Sequence, residues 1–263
     1  MIPKIIHYCW FGNGPKDSKS LECMSTWKKL LPDYQIKEWS EKDLDKIDNP
    51  YVKEAYQSKK WAFVSDYFRL YALYLEGGIY FDTDVEVKKS LDEFLNLDFF
   101  IGSEKHGKDK HLGTAVIGAK KNSPIIQKLL SVYEDIHFIK NDGSFDMTPN
   151  TVRLIKPLKE MGFKEVYTET SPICLNEQNI IYPINYFSKE STNSYTVHHF
   201  VASWTDAVIT KNEWHFSLFG KKIAVYRFKI QKPKEFKYPE SMSKKLIDWN
   251  YKKKYKLLIG NEK

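Results

Sequence analysis

Asp82-Thr83-Asp84 is the segment with the most chemical content in this 263-residue chain. It follows the apolar run Ile79-Tyr80-Phe81. Residues two apart on an extended chain point to one face, so both carboxylates can converge on a single cation. Hard oxygen donors of this kind suit Mg²⁺ or Mn²⁺, which bridge to phosphate oxygens. An acidic turn at a strand end reads the same way, so the neighbours must decide. Asp66 and Arg69 stand three apart in the preceding segment and share a face if it is helical. On a surface such a pair is worth little. Here Phe63, Val64, Phe68, Leu70 and Leu73 surround it, so the helix is apolar almost all round and predicted to be buried. A buried Asp/Arg pair needs polar partners, which a polar ligand would supply. Further along, His198-His199 close the run Tyr195–Phe200, and one imidazole could complete a metal's coordination. Strand alternation puts the two rings on opposite faces, so only one is expected to do so.

The elements that must position these groups follow from apolar spacing and breakers. Lys4–Phe11 reads as a buried first strand, broken by Gly12-Asn13-Gly14-Pro15. Ser18–Leu31 has helical spacing, and Tyr34–Trp39 alternates like a strand. Strand, helix and strand at this spacing predict a βαβ unit and a parallel sheet. Lys60–Glu76 is predicted helical, stopped by Gly77-Gly78. The Asp-Thr-Asp run then lies at the carboxyl end of a strand, where open α/β sheets bind ligands. Phe99–Ser103 and Thr114–Ala119 read as further strands, Pro124–Phe138 as a helix capped by Ser123, and Asn141–Pro149 as a polar loop.

Three segments taken together resemble glycosyltransferase family 32. They are IPKIIHYCWFG at 2–12, AFVSDYFRLYALYLEGGIYFDTD at 62–84 and HHFVASW at 198–204. A more distant similarity is to the glucosylating domains of large clostridial toxins. The resemblance implies an α/β fold of the GT-A type, Rossmann-like with a mixed, mostly parallel sheet. It also implies a nucleotide-sugar donor, a divalent metal (Mn²⁺ or Mg²⁺) and retention of anomeric configuration. Position by position it places Trp10 against the donor's base, and Ser65, Asp66 and Arg69 on the donor's sugar. Tyr80 matches a nucleoside contact, Asp82 a ribose or sugar contact, and Asp84 a direct metal ligand. His198 is favoured over His199 as a further ligand, because related retaining enzymes place the ligand directly after the apolar strand residue, here Val197. Ser203 and Trp204 match donor contacts that reach the β-phosphate. Trp10 also suits a core ring, and either histidine a plain structural role. The family often has Thr-Gly-Pro where this chain has Thr148-Pro149-Asn150, so the acceptor side is open.

Composition bounds the alternatives. Hydrophobic residues are 42% and charged residues 29%, which excludes a disordered or collagen-like chain. The net charge of +7 is carried by residues 221–263, with 14 Lys/Arg against 4 Asp/Glu, while the first 220 residues are net negative. A nucleic-acid binder is therefore not expected. Two parts are expected: a catalytic domain over 1–220 and a basic, aromatic-rich extension over 221–263. The extension suits either an anionic membrane surface, where a lipid-linked glycan acceptor would sit, or a C-terminal helix packed on the body. Three cysteines, Cys9, Cys23 and Cys174, form no disulfide framework. No apolar run is long enough for a membrane span and the N-terminus lacks a signal-peptide plan, so a cytoplasmic enzyme at or near the inner membrane face is expected. The function expected is hexose transfer from a nucleotide-sugar, UDP-linked by preference, to a glycan hydroxyl in polysaccharide synthesis. The alternatives are an effector-like enzyme acting on a protein side chain, a non-catalytic sugar-nucleotide or glycan-binding module, and a metal-dependent phosphate hydrolase.

Overall fold

The computed structural model describes residues 1–106, 109–201, 207–218 and 221–233. In the first part of the chain the elements are β1 (Ile5–Cys9), α1 (Ser18–Leu30), β2 (Gln35–Trp39), α2 (Pro50–Gln57), α3 (Trp61–Glu76), β3 (Gly78–Phe81), β4 (Val85–Val87), β5 (Phe99–His106) and β6 (Asp109–Ala119). Then come α4 (Pro124–Ser131), α5 (Asn150–Arg153), α6 (Ile155–Glu160), β7 (Ile173–Asn176), β8 (Asn179–Tyr182), α7 (Ile184–Phe187) and β9 (Thr196–His198). A hairpin, β10 (Ala207–Leu218) and β11 (Lys221–Pro233), ends the described chain. Seven strands form one sheet in the order β2-β1-β3-β6-β5-β8-β7. Pairing is parallel along β2-β1-β3 and between β5 and β8. It is antiparallel between β3 and β6, β6 and β5, and β7 and β8. The sheet is therefore mixed, and its parallel part along β2-β1-β3 contains the βαβ unit read from the first 39 residues.

Alternation along the strands separates two cores. Tyr80 faces the core built on α3, with Phe68, Leu70 and Leu73. Its neighbours Ile79 and Phe81 face the other, with Trp27 of α1. The turn that launches β3 is built for close approach. Gly77 has φ +70°, and a Cβ there would lie 2.5 Å from the Lys121 amide nitrogen. Its carbonyl accepts a 2.7 Å hydrogen bond from His7 Nε2, while Trp39 Nε1 donates to His7 Nδ1 at 3.0 Å. Indole can only donate, so Nδ1 accepts and Nε2 carries the proton. Burial pushes the His7 pKa down, in keeping with this neutral ring. One buried imidazole thus ties β1 and β2 to the turn that sets where β3, and so Asp82, begins.

Four features differ from the sequence expectation. The helix predicted over Pro124–Phe138 stops at Ser131, because Tyr133 and Phe138 turn into the core. The run Tyr195–Phe200 is a strand only over Thr196–His198. Helix α2 was not anticipated, although Asn49 caps it through the Val52 amide and Pro50 opens it. Finally, the chain divides into compact units Met1–Val201 and Ala202–Lys263, ahead of the boundary expected at 220/221. That expected boundary would cut between two strands paired from Ala207↔Pro233 to Leu218↔Lys221. Lys221–Pro233 is thus strand, not helix, and the rest of the basic extension lies outside the described residues. Among the described residues no helix is long and apolar enough to cross a membrane.

Candidate active site

The first carboxylate of the Asp-Thr-Asp run leaves the end of β3 with its amide still bonded to the Ala115 carbonyl of β6, at 2.9 Å. The chain then turns, with Val85 N–H donating to the Asp82 carbonyl at 3.1 Å. The convergence of Asp82 and Asp84 therefore comes from a tight turn, not from the extended chain that the spacing predicted. Thr83 is held on the α1 side by the Ser20 hydroxyl at 3.2 Å. Directly after the turn, β4 pairs antiparallel with β9, setting Val85 opposite His198. That pairing brings Asp82, Asp84 and His198 together, each offering a ligand atom, all within 4.8 Å of one another. Two hard oxygens and one imidazole nitrogen suit Mn²⁺ or Mg²⁺. His199 points elsewhere: its Nε2 meets Glu86 at 2.8 Å, and it is absent from the cluster. The alternation argument separates the two histidines as observed.

His198 is clasped from both sides. Its Nε2 lies 3.3 Å from Asp84 Oδ1 and its Nδ1 lies 3.1 Å from Glu104 Oε1. Burial would lower its pKa, but the Glu104 and Asp84 carboxylates hold it well above the ordinary histidine range. Asp84 also accepts the Val201 amide at 2.8 Å. Burial would raise the Asp84 pKa, yet the His198 hydrogen bond and charge bring it below the usual carboxylate value.

Asp66 and Arg69 are buried on α3, at 9% and 5% exposure. Arg69 Nη2 meets Asp66 Oδ1 at 2.9 Å, and Nη1 meets Asp82 Oδ1 at 3.4 Å. Nη1 also donates to the Thr114 carbonyl at 2.7 Å, and the guanidinium lies 4.8 Å from the centre of the Tyr80 ring. Tyr80 Oη donates to Asp82 at 2.8 Å. The fork thus braces two carboxylates from different elements, a role in keeping with its planar geometry. Asp66 is fixed from its other side by Asn150. The Asn150 amide donates to Asp66 Oδ2 at 3.2 Å, and its side chain donates to the Asp66 carbonyl at 2.8 Å. Asn150 is the third residue of the segment that departs from the family's Thr-Gly-Pro. Glu104 carried no sequence signal.

Of the remaining expected donor contacts, Trp10 is half-buried at the end of β1, its indole donating to the Gly14 carbonyl at 2.8 Å. Lys16 lies 5.3 Å from its ring centre. Ser65 bonds back to the Trp61 carbonyl of its own helix at 3.0 Å. Ser203 and Trp204 lie outside the described residues.

Burial raises the Asp66 pKa to about 6, with the Arg69 charge offsetting part of the rise. Above about pH 6 the carboxylate is ionised and can accept hydrogen bonds from hydroxyls; as pH falls through that value it is protonated and that capacity is lost. Donor affinity should therefore fall progressively from pH 7 to pH 5. A nucleotide-sugar titration followed by tryptophan fluorescence would read this, and a flat profile over that range would remove Asp66 from the donor site.

Residues 17–100 match a family described as "Glycosyltransferase sugar-binding region containing DXD motif". The matched span contains Asp66, Arg69, Asp82 and Asp84. Over this span the chain is similar to DXD-containing glycosyltransferases. The chain is 27% identical over 225 residues to the uncharacterized glycosyltransferase L373 of Acanthamoeba polyphaga mimivirus, covering 78% of this chain and 84% of that one. It is 34% identical over 113 residues to Toxin Afp18 of Yersinia ruckeri, where the match covers 40% of this chain and 5% of the toxin. Among solved structures, the PaToxG glycosyltransferase aligns at a TM-score of 0.45 and 21% identity, over 61% of this chain and 72% of that one. The mixed α/β architecture sets the DXD turn at the end of β3.

Proposed function

We propose that the enzyme transfers a hexose from a nucleotide-sugar, UDP-linked by preference, to a glycan hydroxyl, with a divalent metal and with retention at the anomeric carbon. The observation that carries this reading is the convergence of Asp82, Asp84 and His198 within 4.8 Å beside the buried Asp66/Arg69 pair. A divalent ion bound there would neutralise charge on the leaving diphosphate. Asp66 and Arg69 would orient the sugar, and Trp10 would support the base.

Retention by double displacement needs a carboxylate free to attack the sugar. Each carboxylate of the cluster already has a partner. Asp66 is held by Arg69 and the Asn150 amide, Asp82 by Arg69 and Tyr80, and Asp84 by His198 and the Val201 amide. This favours same-face attack, with a donor phosphate oxygen accepting the acceptor's proton. A thermal-shift screen of UDP-, GDP- and CMP-sugars with Mn²⁺, followed by product analysis, tests the proposal. Stabilisation by none of them would sink it.

Base stacking on Trp10 should contribute on the order of 1–3 kcal/mol, so Trp10→Ala is expected to weaken nucleotide binding roughly tenfold to a hundredfold. An unchanged Kd would return Trp10 to the core. A second reading, transfer to a protein side chain, draws support from the similarity to Toxin Afp18. The acceptor separates the two: labelled sugar recovered in protein rather than in glycan would favour the second. We also propose cytoplasmic action beside a membrane, with the basic extension from Lys221 on docking to anionic lipid. Fourteen cations lie in that extension, and salt should weaken their attraction. Co-sedimentation with anionic but not neutral liposomes at low salt is expected, and its absence would remove the membrane from the account.

A further inference from the structure

Glu104 stands on β5, in a part of the sheet that supplies none of the expected site residues, yet its carboxylate is buried at 8% exposure. A buried carboxylate is costly unless paired. The bond that it makes is to His198 Nδ1, at 3.1 Å. The opposite face of the same imidazole presents Nε2 to Asp84, at 3.3 Å. Glu104 itself lies outside the Asp82, Asp84 and His198 cluster. Room for it is made across the β5–β6 ladder, where Gly102 pairs with Gly113. A Cβ on Gly113 would lie 2.8 Å from Glu104 Cγ and 3.0 Å from the Gly102 carbonyl oxygen. The missing side chain leaves the space that the Glu104 side chain occupies on its way to Nδ1.

An imidazole can hold a metal through one nitrogen only if that nitrogen is free of its proton, and the bond made by the other nitrogen decides this. A carboxylate at Nδ1 accepts the N–H on that side and fixes the ring's rotation. Nε2 is thereby directed at the two aspartates, where an arriving cation would displace its proton. We propose that Glu104 is a positioning residue of the metal centre: it holds His198 with Nε2 directed at the cation, and it acts only through that ring. The inference rests on the metal reading given above.

The test is a double-mutant cycle on Mn²⁺ affinity, read by the free-ion signal in electron paramagnetic resonance, with no turnover required. Glu104→Gln should weaken Mn²⁺ binding about tenfold or more in the otherwise natural chain, the range seen when such supporting partners are removed. In a His198→Ala background the same substitution should change the affinity less than about twofold, because nothing remains for Glu104 to aim. Equal weakening in both backgrounds would overturn the proposal, since Glu104 would then act by its charge alone. Unchanged affinity in both would overturn it as well, and so would a His198→Ala change without effect on Mn²⁺. If circular dichroism shows that Glu104→Gln does not fold, Glu104→Asp keeps the charge and shortens the reach, and the same pair of outcomes applies to it. Asp84→Ala separates the two levels of the argument. If it leaves Mn²⁺ binding intact, the metal reading itself fails. If it abolishes binding while Glu104→Gln does not weaken it, only the role of Glu104 falls.

Discussion

Asp84→Ala is expected to lower the transfer rate by a thousandfold or more, about 4 kcal/mol of transition-state stabilisation. Asp84 has two duties. One oxygen joins the cluster with Asp82 and His198. The other accepts the Val201 amide at 2.8 Å and so secures the chain beyond β9. Alanine removes both, leaving an amide without its acceptor at a cost of about 1–3 kcal/mol of stability. Asp84→Asn keeps an acceptor for Val201 but removes the negative charge. It should therefore be as inactive as the alanine variant while unfolding closer to the natural protein. Rates with saturating Mn²⁺ and urea unfolding curves for both variants would decide. A near-normal rate in Asp84→Asn would end the assignment of the DXD turn to metal.

Arg69→Lys should also be severe, with a loss of a hundredfold or more in kcat/KM. The guanidinium reaches Asp66 at 2.9 Å, Asp82 at 3.4 Å and the Thr114 carbonyl at 2.7 Å, all from one rigid plane. A single ammonium on a flexible stem cannot span these groups, so one buried carboxylate loses its partner. Breaking a buried pair in this way typically costs about 3–5 kcal/mol. The loss should thus appear in stability as well as in rate, unlike the effect of Asp84→Asn. If Arg69→Lys keeps near-normal turnover and an unchanged unfolding midpoint, the brace is not what orders the site.

Much of this centre could be read from the chain because its parts are local. The apolar face of α3, the Gly77-Gly78 stop and the Asp-Thr-Asp run lie within 24 residues, Trp61 to Asp84, and each has its own signature. Alternation said that only one of His198 and His199 would serve, and family likeness chose His198. The geometry that alternation gave for the two aspartates was wrong, because the chain turns after Phe81. Glu104 was invisible for a different reason. In Ser103-Glu104-Lys105-His106 it looks like one charge among several on an edge, and only the antiparallel register with β6 and the space over Gly113 reveal it as buried. Asn150 was noticed as a departure from the family, but its bonds to Asp66 depend on a contact 84 residues away. Helix α4 was drawn too long because Tyr133 and Phe138 keep an apolar pattern while belonging to the core by tertiary packing.

The short β4–β9 ladder also sets when the centre can exist. It joins Val85 to His198 and, one step further, the Asp84 carboxylate to the Val201 amide across 117 residues of chain. During synthesis from the N-terminus, the DXD turn emerges well before its histidine, by on the order of ten seconds at ordinary elongation speeds. Until β9 and Val201 arrive, the two aspartates lack the imidazole that joins their cluster and Asp84 lacks the amide that holds it. The nascent enzyme therefore carries its signature motif long before it can assemble the cluster. Chain length becomes a safeguard: a product broken off before residue 196 would display the motif without His198, and so without the assembled cluster.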